Sequence, residues 1–175
     1  MTTDPRYPIG KFHAPATVSD SERQQFIADI EATPARMRAA VAGLTPDQLR
    51  TPYREGGWTV LQLIHHVPDS HMNAYIRFKL ALTENEPTIK PYEEARWAEL
   101  PDTQNTPPEI SLTLLDSLHT RWVNVLRGMS AADWTRQFRH PELGIMNLDR
   151  TLALYAWHGK HHAAHITALR QQKGW

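Results

Sequence analysis

Cysteine is absent from this chain of 175 residues. The protein itself can therefore supply no disulfide framework, no zinc–thiolate site and no cysteine nucleophile. An excess of either charge is also missing, with 19 Lys+Arg set against 19 Asp+Glu. Signs interspersed in this way leave no electrostatic footprint for a nucleic-acid backbone or an anionic membrane surface, so neither is expected as a partner. No apolar run approaches the roughly 18 residues that span a bilayer, and the opening MTTDPRYPIG lacks an apolar signal segment. A cytoplasmic protein with a single domain over 1–175 is the expectation.

What the chain has in surplus is histidine, ten in all, with His158, His161, His162 and His165 close together and His65 adjacent to His66. Thirteen prolines and eight glycines punctuate the rest. Residues 1–18 hold Pro5, Pro8, Gly10 and Pro15 without periodicity, and read as an extended arm that packs across the domain or frays. Ser19 and Glu22 have the spacing of a capping box, after which Phe26, Ile27, Ile30, Met37 and Val41 recur at helical intervals, predicting a first helix over 20–42. Pro34 lies inside it and should kink or divide it, with Thr33 capping the second piece.

Thr45-Pro46 predicts a short turn of helix before the loop TPYREGG. Thr59 and Gln62 repeat the capping-box spacing, and Val60, Leu63, Ile64, Val67, Ala74, Tyr75 and Phe78 form a stripe to about Thr83, interrupted by Pro68. Residues 84–109 are proline-rich and irregular, with room for a short helix over Tyr92–Glu99; loops this long often serve as lids or pocket walls. A third helix is predicted over 109–128, a brief one opening at Ser130, and a fourth from about Asp149 to Gln172. Between them, Phe138–Leu148 fits a hairpin or a plain loop equally, and Gly174 falls too near the end to read as a boundary. The pattern is all-α: a four-helix bundle with proline-rich connecting loops.

At 100° per residue the four clustered histidines share one face of the last helix, because 158/162 and 161/165 are both i, i+4 pairs. Two imidazoles one turn apart can reach one divalent ion. The spacing leaves open which pair does so. A third ligand should come from another helix, and on helix two His66, Ser70, Asn73 and Arg77 form a polar strip beside the apolar stripe, with His65 turned away and His71 turned inward. His66 is the better-placed ligand there, and Asn73 and Arg77 are available to bind substrate.

The stretches GGWTVLQLIHHVPDSHMNAYIRFKL, YPIG, TPYREGGW and YAWHGKHHAAHITALRQQKGW together resemble the YfiT-type metal-dependent hydrolases of the DinB-like superfamily. That resemblance covers nearly the whole chain. It implies a four-helix bundle, often a homodimer, with one divalent ion per subunit, usually zinc with nickel as the alternative, held by three histidines. Counted by the family's motif, the ligands are His66, eight residues after Trp58, and the pair His161 and His165 before the Ile-Thr dipeptide. His158 and His162 then become supporting residues. Pro68 departs from the family pattern and could bend helix two just past His66.

An ion held by three neutral imidazoles with an open position could activate water for hydrolysis of a small molecule. It could equally activate an external thiol, since relatives in the superfamily resemble low-molecular-weight thiol (bacillithiol-like) S-transferases. Asp69, three residues after His66, is the candidate general base. A non-catalytic metal-binding helical module is the reading from a different class.

Overall fold

The helix starts lie where the capping signals put them. In the computed structural model, which describes residues 4–175, Ser19, Thr45 and Thr59 each accept from the backbone N–H three residues on, and Glu22, Gln48 and Gln62 reciprocate. They open α1 (Asp20–Glu31), α3 (Pro46–Leu49) and α4 (Val60–Thr83). Residues 1–3 of the predicted arm lie outside the described residues. The rest of the arm packs: the Arg6 carbonyl meets His165 Nε2 at 3.2 Å, and Phe12 lies 5.9 Å from Trp157.

Pro34 divides the first rod as expected, into α1 and α2 (Thr33–Val41). Thr33 does not cap the second piece. It is already helical, and its hydroxyl donates back to the Asp29 carbonyl at 2.9 Å. The carbonyl of Ile30 would ordinarily accept from the N–H four residues on, but that residue is Pro34, which has none.

Helix α4 runs through Pro68 without interruption. The connector over 84–109 forms α5 (Glu94–Trp97), shorter than the predicted 92–99, and an unforeseen α6 (Pro101–Asn105). Helix α7 (Pro108–Arg127) follows, then a single 3-10 turn over Asp133–Thr135. The ambiguous segment is a hairpin, β1 (Gln137–His140) against β2 (Gly144–Asn147), with Phe138 opposite Met146 and both buried. Gly144 takes φ 74° at its turn, a left-handed conformation that disfavours any side chain. Asn147 then caps α8 (Leu148–Lys173), and Gly174, at φ 70°, is that helix's left-handed C-cap after all.

The four layers of the bundle are α1 with α2, α4, α7 and α8. Their apolar faces form two separate clusters. One gathers Ile27, Ile30, Ala74, Phe78, Leu118, Trp122, Leu152 and Ala156; the other gathers Met37, Ala40, Val60, Leu63, Ile64, Leu115, Ile166 and Leu169. Each fully buried large side chain contributes about 1.5–3 kcal/mol of burial free energy. Between the clusters each of the four layers contributes a polar or small residue: Thr33 from α2, His71 from α4, His119 from α7, His158 and Gly159 from α8.

Gly159 is demanded by close approach, since a Cβ there would sit 2.5 Å from Thr33 Oγ1 and 2.7 Å from Thr33 Cγ2. Both neighbours belong to a buried side chain. The substitution Gly159→Ala is therefore expected to cost about 1–3 kcal/mol through overpacking, read as a lowered midpoint in urea denaturation. An unchanged or raised midpoint would show that the α2–α8 contact is looser than described.

Candidate metal centre

Helix α8 places His158 and His162 one turn apart, with Nε2 of each 3.1 Å from the other. Helix α4 brings His66 against them, its ring centroid 4.8 Å from that of His162 and 5.4 Å from that of His158. Each of the three offers a ring nitrogen within 4.8 Å of the other two. Two nitrogens each about 2.0–2.1 Å from one tetrahedral ion lie about 3.3 Å apart, so the 158–162 separation is that of neighbouring ligands.

A second group, His161, His162 and His165, meets the same spacing but lies wholly on α8. Its members are engaged differently. His165 Nε2 donates to the Arg6 carbonyl, His161 stacks on Trp157 with centroids 4.2 Å apart, and Tyr53 lies 4.1 Å from His165. Among the described residues, the expected trio His66, His161 and His165 does not form one ligand-spaced group: His66 falls with His158 and His162, and the other two fall together.

Burial sets the protonation state. Desolvation pulls His66 and His161 down to about 4, the latter helped by His165, and pushes His158 and His162 well below the ordinary imidazole value. All are neutral near pH 7, the form that binds a metal ion. Trp58 covers His66 with centroids 4.6 Å apart. The imidazoles line a cavity of about 790 Å³ whose walls also include Arg6, Arg54, Arg77, Tyr92, Tyr155 and Trp157.

The remaining predicted residues separate. Arg77 lines this cavity and makes no salt bridge among the described residues. Asn73 does not line it; its amide donates to the Asp69 carbonyl, and its side chain faces a neighbouring cavity with Lys90, Arg96 and Trp97. Asp69 is also not among the lining residues, so the structure does not support it as a general base; its carboxyl is raised to about 6 by burial and by Asp102. The wall residues that sequence reasoning missed, Arg6, Tyr92 and the hairpin's His140 and Glu142, come from segments without periodicity, where only the length of the 84–109 connector signalled a pocket wall.

Comparison with known proteins gives a consistent picture. The model of the DinB superfamily matches residues 29–166. A Bacillus mycoides (strain KBAB4) protein named "putative metal-dependent hydrolase" is 54% identical over 172 residues, covering 98% of this chain and 99% of its own. The structure of YfiT from Bacillus subtilis, described as a "probable metal-dependent hydrolase with an unusual four-helix bundle topology", superposes with a TM-score of 0.96 at 46% identity, covering 99% of both chains. TT2238, a four-helix bundle protein, shares the fold with a TM-score of 0.57 at 21% identity, covering 87% of this chain and 99% of its own.

The buried imidazoles also dictate how stability depends on pH. His66, His119 and His161 are held at about 4 in the folded chain. On unfolding they return to about 6.5, so the unfolded state binds the more protons between these values. Stability is thus fully present above about pH 6.5 and is lost progressively as pH falls toward about 4. Urea denaturation of metal-free protein at about pH 7.5 and about pH 5 should show a lower midpoint at the acid value; equal midpoints would mean that the imidazoles are not desolvated.

Proposed function

Since the chain belongs to the DinB superfamily, we propose that it is a metal-dependent hydrolase of a small molecule in which His66, His158 and His162 hold one divalent ion. The observation that carries the reading is the convergence of neutral imidazole nitrogens from α4 and α8 at ligand spacing. An all-nitrogen donor set suits zinc, with nickel as the alternative. Such an ion supplies Lewis-acid polarisation of a substrate oxygen and lowers the pKa of water.

The chain's own residues do the rest. His66 and the α8 pair are fixed by the two helices, so the donor set is rigid before an ion arrives. Trp58 and Trp157 form apolar walls that exclude bulk water from the imidazoles. Arg77, which makes no salt bridge among the described residues although Glu94 on the same wall feels its charge, offers a guanidinium to an anionic or carbonyl group on the substrate. His165, with its Nε2 proton on the Arg6 carbonyl, ties the N-terminal arm to the rim of the cavity.

Removing a proposed ligand separates the two histidine groups. Elemental analysis of purified His162→Ala and His158→Ala should find stoichiometric zinc or nickel lost, while His165→Ala keeps it, with helical circular dichroism retained in all three. Full metal in His158→Ala with loss in His165→Ala would transfer the site to His161 and His165. For the chemistry, wild-type protein should accelerate hydrolysis of a panel of small esters and amides, and Arg77→Ala should lower kcat/KM for anionic members by about tenfold or more. Acceleration seen only with an added low-molecular-weight thiol and an electrophile would replace hydrolysis by S-transfer.

A further inference from the structure

Four contacts in series, the first two buried and the last two part-buried, cross the middle of the bundle. The Ile30 carbonyl lies 2.6 Å from His119 Nδ1, and His119 Nε2 lies 2.9 Å from His71 Nδ1. His71 Nε2 lies 3.1 Å from His158 Nδ1, and His158 Nε2 lies 3.1 Å from His162 Nε2. His71 is wholly inaccessible and His119 is 2% exposed, so solvent offers no competing partner.

A neutral imidazole has one N–H and one lone pair, so the series has only one consistent direction. A carbonyl can only accept. His119 Nδ1 must therefore carry the proton, which leaves its Nε2 as an acceptor. His71 Nδ1 must then donate, leaving His71 Nε2 as an acceptor in turn. His158 Nδ1 donates to it, and His158 Nε2 is left as an acceptor that takes the His162 Nε2 proton 3.1 Å away until an ion replaces that proton. The ring planes are held as well, because Trp122 packs edge-on against both His71 (85°) and His119 (81°), and Tyr155 packs edge-on against His71 (90°).

We propose that His119 and His71 are positioning residues that transmit the polarity of the Ile30 carbonyl to His158, fixing it as the Nδ1–H tautomer and presenting Nε2 as a preformed ligand. Pro34 is the origin of the device, since its missing N–H removes the i+4 donor to the Ile30 carbonyl, which His119 meets at 2.6 Å. Metal-ligating imidazoles commonly donate their second nitrogen to a carbonyl or carboxylate. Here the carbonyl is two imidazoles away, on a helix that contributes no proposed ligand. The inference rests on the metal reading above for what Nε2 is presented to, while the direction of the chain rests on the hydrogen bonds alone.

Two measurements test it. Long-range 1H–15N spectra of histidine-labelled, metal-free wild-type protein at about pH 8 should show Nδ1–H tautomers for His119, His71 and His158. An Nε2–H tautomer at His158 or His119 would overturn the proposal, whatever the variants do. In the second, zinc affinity is measured by competition with a chelator. His119→Leu, which cannot relay polarity, should bind zinc roughly 10–100-fold more weakly than wild type. His119→Gln should recover to within about threefold, because its amide N–H donates to Ile30 and its Oε1 accepts from His71. Equal weakening of both variants would mark His119 as a packing residue and overturn the proposal, as would wild-type affinity in His119→Leu. Failure of the wild-type protein to bind zinc or nickel, read in the same titration, would overturn the metal reading instead.

Discussion

A proline's missing N–H is the constraint from which the middle of this molecule is built. With Pro34 four residues after Ile30, the carbonyl of a buried residue near the end of α1 loses its i+4 donor. Left unpaired, a buried acceptor costs about 1–3 kcal/mol, so a donor must come from another element. His119 on α7 provides it at 2.6 Å, and once an imidazole has been brought into the core its second nitrogen also needs a partner. His71 satisfies that need and passes it on to His158. Each step is forced by the one before, and the series ends where α4 and α8 expose nitrogen lone pairs to a cavity.

This polar layer explains why the bundle has two apolar clusters rather than one. Desolvated imidazoles are tolerated because each is neutral and most of their nitrogens are paired. Among the exceptions, His161, His162 and His165 each keep a buried Nδ1 without a hydrogen-bond partner beside the cavity, and His65 keeps a buried Nε2 away from it. The two clusters clamp the layer from either side, while Gly159 lets α8 approach Thr33 closely enough to leave no gap. Function and stability are thereby coupled, since the residues that hold the donor nitrogens also occupy the volume between the clusters.

Much of the fold was legible in the sequence because its signals are local. Capping boxes at Ser19 and Thr59, the division at Pro34 and the helical stripes each depend on residues within a few turns. What local pattern misjudged depended on packing. Thr33 turns back to Asp29 because the chain is already helical there, and Gly174 caps α8 because the helix runs to Lys173. The hairpin needed partners to be distinguished from a loop: Phe138 and Met146 bury together on the first cluster. The histidine face of α8 was visible from spacing, as was the choice of His66. Which i, i+4 pair His66 meets was not, because helical phase says nothing about where α4 rests along α8. Asp69 and Asn73 were drawn toward the site by their position in the chain, whereas the turn of α4 carries them toward other surroundings, Asn73 to the neighbouring cavity and Asp69 to Asp102.

In the proposed centre one divalent ion sits where α4 meets α8, held by His66, His158 and His162. Anomalous diffraction from crystals of zinc-loaded protein, collected on both sides of the zinc edge, reads this directly. A single strong peak is expected about 2.0–2.1 Å from one nitrogen of each of these three side chains. A peak bonded to His161 and His165, with His158 left in its hydrogen bond to His71 and out of reach of the ion, would contradict it.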